Sequence, residues 1–298
     1  MMENSGILRL LRKMSAAEDV DVRIGVIKAL TRTATVEEKE VGYVEVETSS
    51  ILVAVLTELA KDESKNVRYE VASNPRTPEK VLTKLSNDEY TLVRILVTKN
   101  PATPAEVLTK LAMDKDVSVR CAVARNPRTT PAVLAELSMD ESWSVRHWVA
   151  ENPATPAEVL TKLAKGESKI VRCAVAGNPR TTPTVLTKLA MDEDVSVRFA
   201  VAKNPRTTPA VLTELSMDKG KSVHYYIGED MSVRFAVARN PRTTPAVLTK
   251  LAKDEDEDVR CAVARNPRTP EKVLTELSKD RNEVVRRAAK ANPSFQKE

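Results

Sequence analysis

Between Pro183 and Lys203 the apolar residues fall into two short stripes, Val185, Leu186 and Leu189, then Val197, Ala200 and Val201. Spacings of three and four place each set on one helical face, so the pattern predicts two short amphipathic helices. The second face is narrow, because alanine admits a close neighbour. Thr182-Pro183 reads as the first helix start, since threonine accepts from free first-turn N–H groups and proline has no N–H to leave unpaired. In Thr103-Pro-Ala-Glu106 and Thr155-Pro-Ala-Glu158 the acid three residues on predicts a capping box. Asp194 opens the second helix, with counterparts at Ser64, Asp116, Ser142, Ser168, Asp230, Asp256 and Asn282; Tyr90 alone is a poor cap. Asn204-Pro205 closes it, because proline cannot donate the next hydrogen bond and biases its predecessor away from the α region. The asparagine side chain is expected to bond the backbone exposed there.

The same sentence recurs along the chain. Asn-Pro pairs start at residues 74, 100, 126, 152, 178, 204, 240, 266 and 292, so every step is 26 residues except one of 36. A fixed period of this size is the mark of a solenoid, in which each unit buries its apolar face only against its neighbours. The expected fold is an all-α, right-handed α/α superhelix of about ten two-helix repeats. Residues 1–30 read as a degenerate N-terminal capping repeat lacking the Asn-Pro stop. Residues 31–49 read as an irregular insertion with a strand-like run, Val41, Tyr43, Val44 and Val46, and residues 50–298 as the repeat array. The 36-residue step is read as a truncated extra unit at 219–230. There Lys221 to Ile227 aligns with Val195 to Val201, a second helix without its first, and the stack is expected to break or bend with Tyr225 and Tyr226 partly exposed.

The recurring NP(R)TP..VL..LA.D....VR..VA pattern resembles the leucine-rich repeat variant family, a relative of the HEAT and armadillo superhelices. The match runs from about residue 50 to 298 and rests on nine copies. The resemblance implies a right-handed helical superhelix, with one helix of each pair partly 3₁₀, and implies no common activity. Some relatives resemble carriers of a Cys-rich iron–sulphur module ahead of the repeats; this chain lacks those cysteines, so no cofactor is implied.

Composition narrows the function classes. Aromatics are only 3%, so Ala, Val and Leu do the packing. The start, MMENSGILRLLRKMS, is too short and too interrupted by Arg9 and Arg12 for a signal core or a span, and a cytoplasmic location is expected. Cys121, Cys173 and Cys261 sit two and three repeats apart, beyond disulfide reach or shared metal ligation, and are expected as free thiols. No phosphate-binding glycine motif, H-E-x-x-H, G-x-S-x-G or C-x-x-C occurs, and His147 and His224 have no paired ligand. Asp and Arg recur in every repeat, whereas a catalytic site would be singular. That repetition predicts a structural ladder, and the chain is not expected to be an enzyme.

The net charge of +5 is patterned. One turn of each repeat is basic and the other acidic, which complements the second-helix dipole at about 0.3–1 kcal/mol per charge. The expected function is a non-enzymatic scaffold whose second helices present a row of modest apolar groups edged by charge to a protein or peptide partner. The candidate partner-binding residues are Tyr69, Lys99, Arg125, Trp143 and His147, together with Phe199, Lys203, Phe235, Arg239 and Arg265. Trp148 stands where other repeats have alanine, so local repacking is expected around it. The alternative is nucleic acid held through phosphates by Arg76, Arg128, Arg180, Arg206, Arg242 and Arg268. Neither membrane insertion nor a small-molecule substrate is indicated.

Overall fold

The computed structural model describes residues 13, 17–36, 45–220, 223–224 and 230–295. Among the described residues are nineteen helices and two strands of two residues each. A regular repeat is a seven-residue first helix such as Pro183–Leu189, a turn, a nine-residue second helix such as Val195–Lys203, and the Asn-Pro turn. Both are α-helical, and no 3₁₀ run occurs among the described residues, unlike the mixture the family resemblance implied. A seven-residue helix is not stable alone, so its burial must hold it. Val185, Leu186 and Leu189 are all buried, and Leu186 has no exposed surface. A leucine so placed contributes about 1.5–3 kcal/mol.

Two starts differ from the capping pattern. In repeats with two threonines, Thr182, Thr208 and Thr244 cap the first helix by accepting from the N–H three residues on. In repeats with one threonine, the cap position holds Pro104 or Pro156, which has no side-chain acceptor. The expected capping boxes at 103–106 and 155–158 therefore do not form. Thr103 and Thr155 lie one position earlier, fully buried, and donate instead to the Val97 and Val149 carbonyls at 2.5 Å. The second-helix caps Asp116, Asp194, Asp256 and Asn282 do accept from first-turn N–H groups, whereas Ser64, Ser142 and Ser168 do not.

The chain divides into two compact units, residues 1–137 and 138–298. In each, a second helix packs on the second helix of the next repeat, and a first helix packs mainly on the second helix that follows or precedes it. The second helices therefore form the closely spaced layer, as their alanine-lined faces allow.

Two polar ladders bind repeat to repeat. Asn204 accepts the Arg206 N–H through its side-chain oxygen at 2.9 Å, and its amide nitrogen donates to the Ala176 and Asn178 carbonyls of the preceding repeat at 2.7 and 3.0 Å. Asn100, Asn178, Asn240, Asn266 and Asn292 repeat this double donation. The asparagine thus bonds its own turn, as expected, and also the neighbouring repeat, which sequence reasoning did not foresee. In the second ladder an arginine meets the aspartate 20 residues on through both Nε and Nη2. The pairs are Arg68–Asp88 and Arg94–Asp114 in the first unit, and Arg172–Asp192, Arg198–Asp218, Arg234–Asp254 and Arg260–Asp280 in the second. The Nε contacts span 2.5–2.7 Å. This is the structural ladder the repetition of Asp and Arg predicts.

The irregular segments depart from expectation. Helices Val20–Val36 and Glu45–Leu59 occupy both flanks of residues 31–49, so Val46 is helical instead of strand-like, and residues 37–44 lie outside the described residues. The degenerate first repeat joins the array through its own rung, Arg23 to Asp62 at 2.7 Å. At the 36-residue step, Val223–His224 and Asp230–Met231 form an antiparallel bridge, so Val223 and His224 are extended where the expected helix would have placed them in a helical turn, and Asp230 lies in a strand instead of at a helix start. Ser232 caps the following helix, Val233–Arg239, which is two residues shorter than its counterparts. Nor does the stack break there. Asn240 reaches back to Ala202 and Asn204, and Arg234 Nη1 donates to the Asp218 carbonyl at 2.8 Å. An unpaired second helix has no first helix to bury against, and the described residues 223–224 and 230–231 pair as strands instead. Tyr225 and Tyr226 lie outside the described residues.

Candidate functional site

The row of residues that follows each ladder arginine forms the floor of two grooves in the second unit. The first groove, about 560 Å³, holds His147, Cys173 and Phe199 on its floor, with Ile170 and Ser196 opposite and Lys203 at one end. The second, about 660 Å³, holds Phe235 and Cys261, with Asp258 and Val284 opposite and Arg239 and Arg265 at one end. These grooves gather six of the ten candidate partner-binding residues. Their floor is more enclosed than the sequence suggested. Phe199 is only 3% exposed and Cys261 is buried, while His147, Cys173 and Phe235 are half-buried. The cause is the wall opposite, supplied by the next second helix.

Sequence reasoning missed that wall. Residues 147 and 170, 173 and 196, 235 and 258, and 261 and 284 line the grooves in pairs 23 positions apart. The signal was present as one repeat less one helical turn, and the Cys173 thiol makes it concrete by donating to the Ser196 carbonyl at 3.1 Å. Burial pushes that thiol up to about 11. Burial also raises Cys261. None of the three cysteines forms a disulfide, and the described residues contain no cluster of His, Cys, Asp or Glu able to hold a metal ion.

Charge borders the apolar floor on both sides. Lys203 lies over the Phe199 ring and Arg239 over the Phe235 ring, each 5.6 Å from the centroid, so the basic end is held against the floor by cation–π attraction. At the opposite end Lys169 pairs with Asp194 at 2.9 Å. His147 stands edge-on to Trp148 at 5.0 Å, and its Nδ1 is buried with no hydrogen-bond partner. Trp148 is half-buried. Trp143, 47% exposed at the start of its helix, lines neither groove. In the first unit Tyr69 takes the floor position and is 38% exposed, with Lys99 and Arg125 exposed at helix ends.

The candidate phosphate-binding arginines lie on the Asn-Pro turns. Arg128, Arg180, Arg206, Arg242 and Arg268 are exposed, and Arg76 is half-buried. Several already serve the stack. Arg206 donates to the Arg180 carbonyl at 3.3 Å, Arg242 to Arg206 at 3.2 Å, Arg268 to Pro241 at 3.3 Å, and Arg128 to Pro101. Each caps a carbonyl of the turn before it, which leaves only part of the guanidinium for an outside anion. No described helix is long and apolar enough to cross a membrane.

Comparison with known proteins finds the same architecture. A solved structure described as a leucine-rich repeat variant with a novel repetitive structural motif is 28% identical, with a TM-score of 0.56, over 78% of this chain and 88% of that one. A structure described as an engineered protein covers 97% of this chain and 88% of its own, at 19% identity and a TM-score of 0.37, an overlap too loose to bear on the fold. No family model matches the chain, and no curated protein does.

Proposed function

Taking the chain as a leucine-rich-repeat-variant α-solenoid, we propose that it is a non-enzymatic scaffold that binds an extended peptide segment of a protein partner along its second helices. The observation that carries this reading is the pair of grooves with an apolar floor of Phe199, Cys173, Phe235 and Cys261 and a basic end of Lys203, Arg239 and Arg265. Apolar floors exclude water and anchor side chains, whereas rim charges set orientation and association rate. The basic end selects a segment carrying acidic residues beside apolar ones.

A peptide-display screen against the folded protein tests this. Acidic–apolar sequences should be enriched, and the double reversal Lys203→Glu with Arg239→Glu should weaken them at least tenfold without lowering the Tm. Enrichment of nothing, or binding indifferent to the reversal, refutes the proposal. The nucleic-acid reading is less favoured because the turn arginines already bond backbone carbonyls.

A further inference from the structure

One rung of the arginine–aspartate ladder is missing, and its absence leaves a shaped vacancy. The position 20 residues beyond Arg146 holds Gly166, where the other ladder positions of the second unit hold Asp192, Asp218, Asp254 and Asp280. Arg146 still donates through Nη1 to the Asp140 and Glu141 carbonyls at 2.6 and 2.9 Å, so its guanidinium is fixed in the same pose as its counterparts. Its Nε and Nη2, which elsewhere grip the carboxylate, have no acceptor among the described residues. A second donor is orphaned with them. Each ladder aspartate also accepts the backbone N–H two residues on, as Asp192 does from Asp194 at 2.9 Å and Asp254 from Asp256 at 3.0 Å. The matching donor here is the Ser168 N–H, which has no acceptor among the described residues.

These donors surround a cavity of about 170 Å³ lined by Arg146, Gly166, Ser168 and Lys162. Glu167 does not fill it. Its counterparts Glu89 and Glu193 approach Arg68 and Arg172 at 3.2 and 3.7 Å, but Glu167 makes no such contact with Arg146. We propose that this gap in the ladder is a binding site for a small carboxylate anion, held bidentate by Arg146 and by the Ser168 N–H in the place of the absent aspartate. The class follows from the geometry. A planar two-oxygen acceptor matches the guanidinium fork, and the rest of the ladder shows that these donors close on a carboxylate.

The test is titration of the whole protein with sodium acetate against sodium chloride at equal ionic strength, read by the Ser168 amide and Arg146 Nε–H resonances. Acetate should move both, half-saturating at about 1–10 mM, as suits a ligand of four heavy atoms. Gly166→Asp, which fills the gap with the ladder's own carboxylate, should abolish the response. A Cβ at residue 166 would sit 3.3 Å from the Leu163 carbonyl, a close fit that needs a small adjustment. Asp192→Gly therefore gives an independent arm, since it should open a second gap at Arg172 and add an acetate response at the Asp194 amide. No movement in the wild type, an equal response in Gly166→Asp, or a response to inorganic phosphate alone would overturn the proposal.

Discussion

Asn204 makes three backbone hydrogen bonds from a side chain that is 2% exposed. Substituting alanine leaves the buried Ala176 carbonyl and the Arg206 N–H without a partner, while the Asn178 carbonyl keeps the Thr181 N–H; at about 1–3 kcal/mol for each unsatisfied group, the whole change should cost at least about 2 kcal/mol. Urea unfolding of Asn204→Ala measures this; a loss under about 0.5 kcal/mol would show that the ladder does not hold the stack. At Asp280 the Arg260 hydrogen bond holds the carboxyl below its usual range, against desolvation by burial. A depressed carboxylate contributes stability that is present above its unfolded value of 3.8 and is lost as pH falls through the folded value. Asp280→Asn should therefore destabilise by about 1.5–3 kcal/mol at pH 7, the usual range for a hydrogen bond to a charged group, and by much less well below pH 3.8. A difference independent of pH would contradict this. The Cys173 thiol behaves in the opposite sense. With its value raised from 9.0 to about 11, it costs folding nothing below pH 9 and removes stability as pH rises from 9 to about 11. Alkylation of native Cys173 should accordingly stay slow until pH nears 11, and rapid modification at pH 8.5 would contradict its burial.

At the scale of elements, the regular helices were legible because one stripe repeats many times, and each copy reports the same answer. The capping boxes misled because Thr103 and Thr155 match the motif by spacing but lie one residue outside the helix, where a buried carbonyl is the nearer acceptor. The 36-residue step misled because Lys221 to Ile227 reads as a second helix, and local pattern carries no information on whether a first helix exists to bury it. Arg234 bonds the Asp218 carbonyl across 16 residues, where Arg198 spans 6 to Asp192. Removing residues 221–230 restores that spacing of 6. The deletion should fold with an unchanged helix content by circular dichroism and a Tm at or above the parent, because it shortens a loop without removing a rung. A large fall in Tm would mean that the extra residues support the stack.

At the scale of the whole molecule, stability accumulates between neighbouring repeats. The net charge of +5 resides on edges whose arginines also cap carbonyls. Duplex DNA is therefore expected to bind weakly at low salt and undetectably near 150 mM, by fluorescence anisotropy. A log–log salt slope of about −5 would instead mean that some six arginines reach phosphates and would favour the nucleic-acid reading.

The residues by themselves determined the period, the two helices of each repeat and the Asn-Pro stops, because these depend on local spacing and backbone chemistry. Tertiary structure alone decided the partners of Asn204 and Arg198, the wall 23 residues beyond each floor position, and the vacancy at Gly166. All of these are contacts between successive repeats, and their geometry depends on the rise and rotation of one helix pair upon the next, which no single repeat encodes.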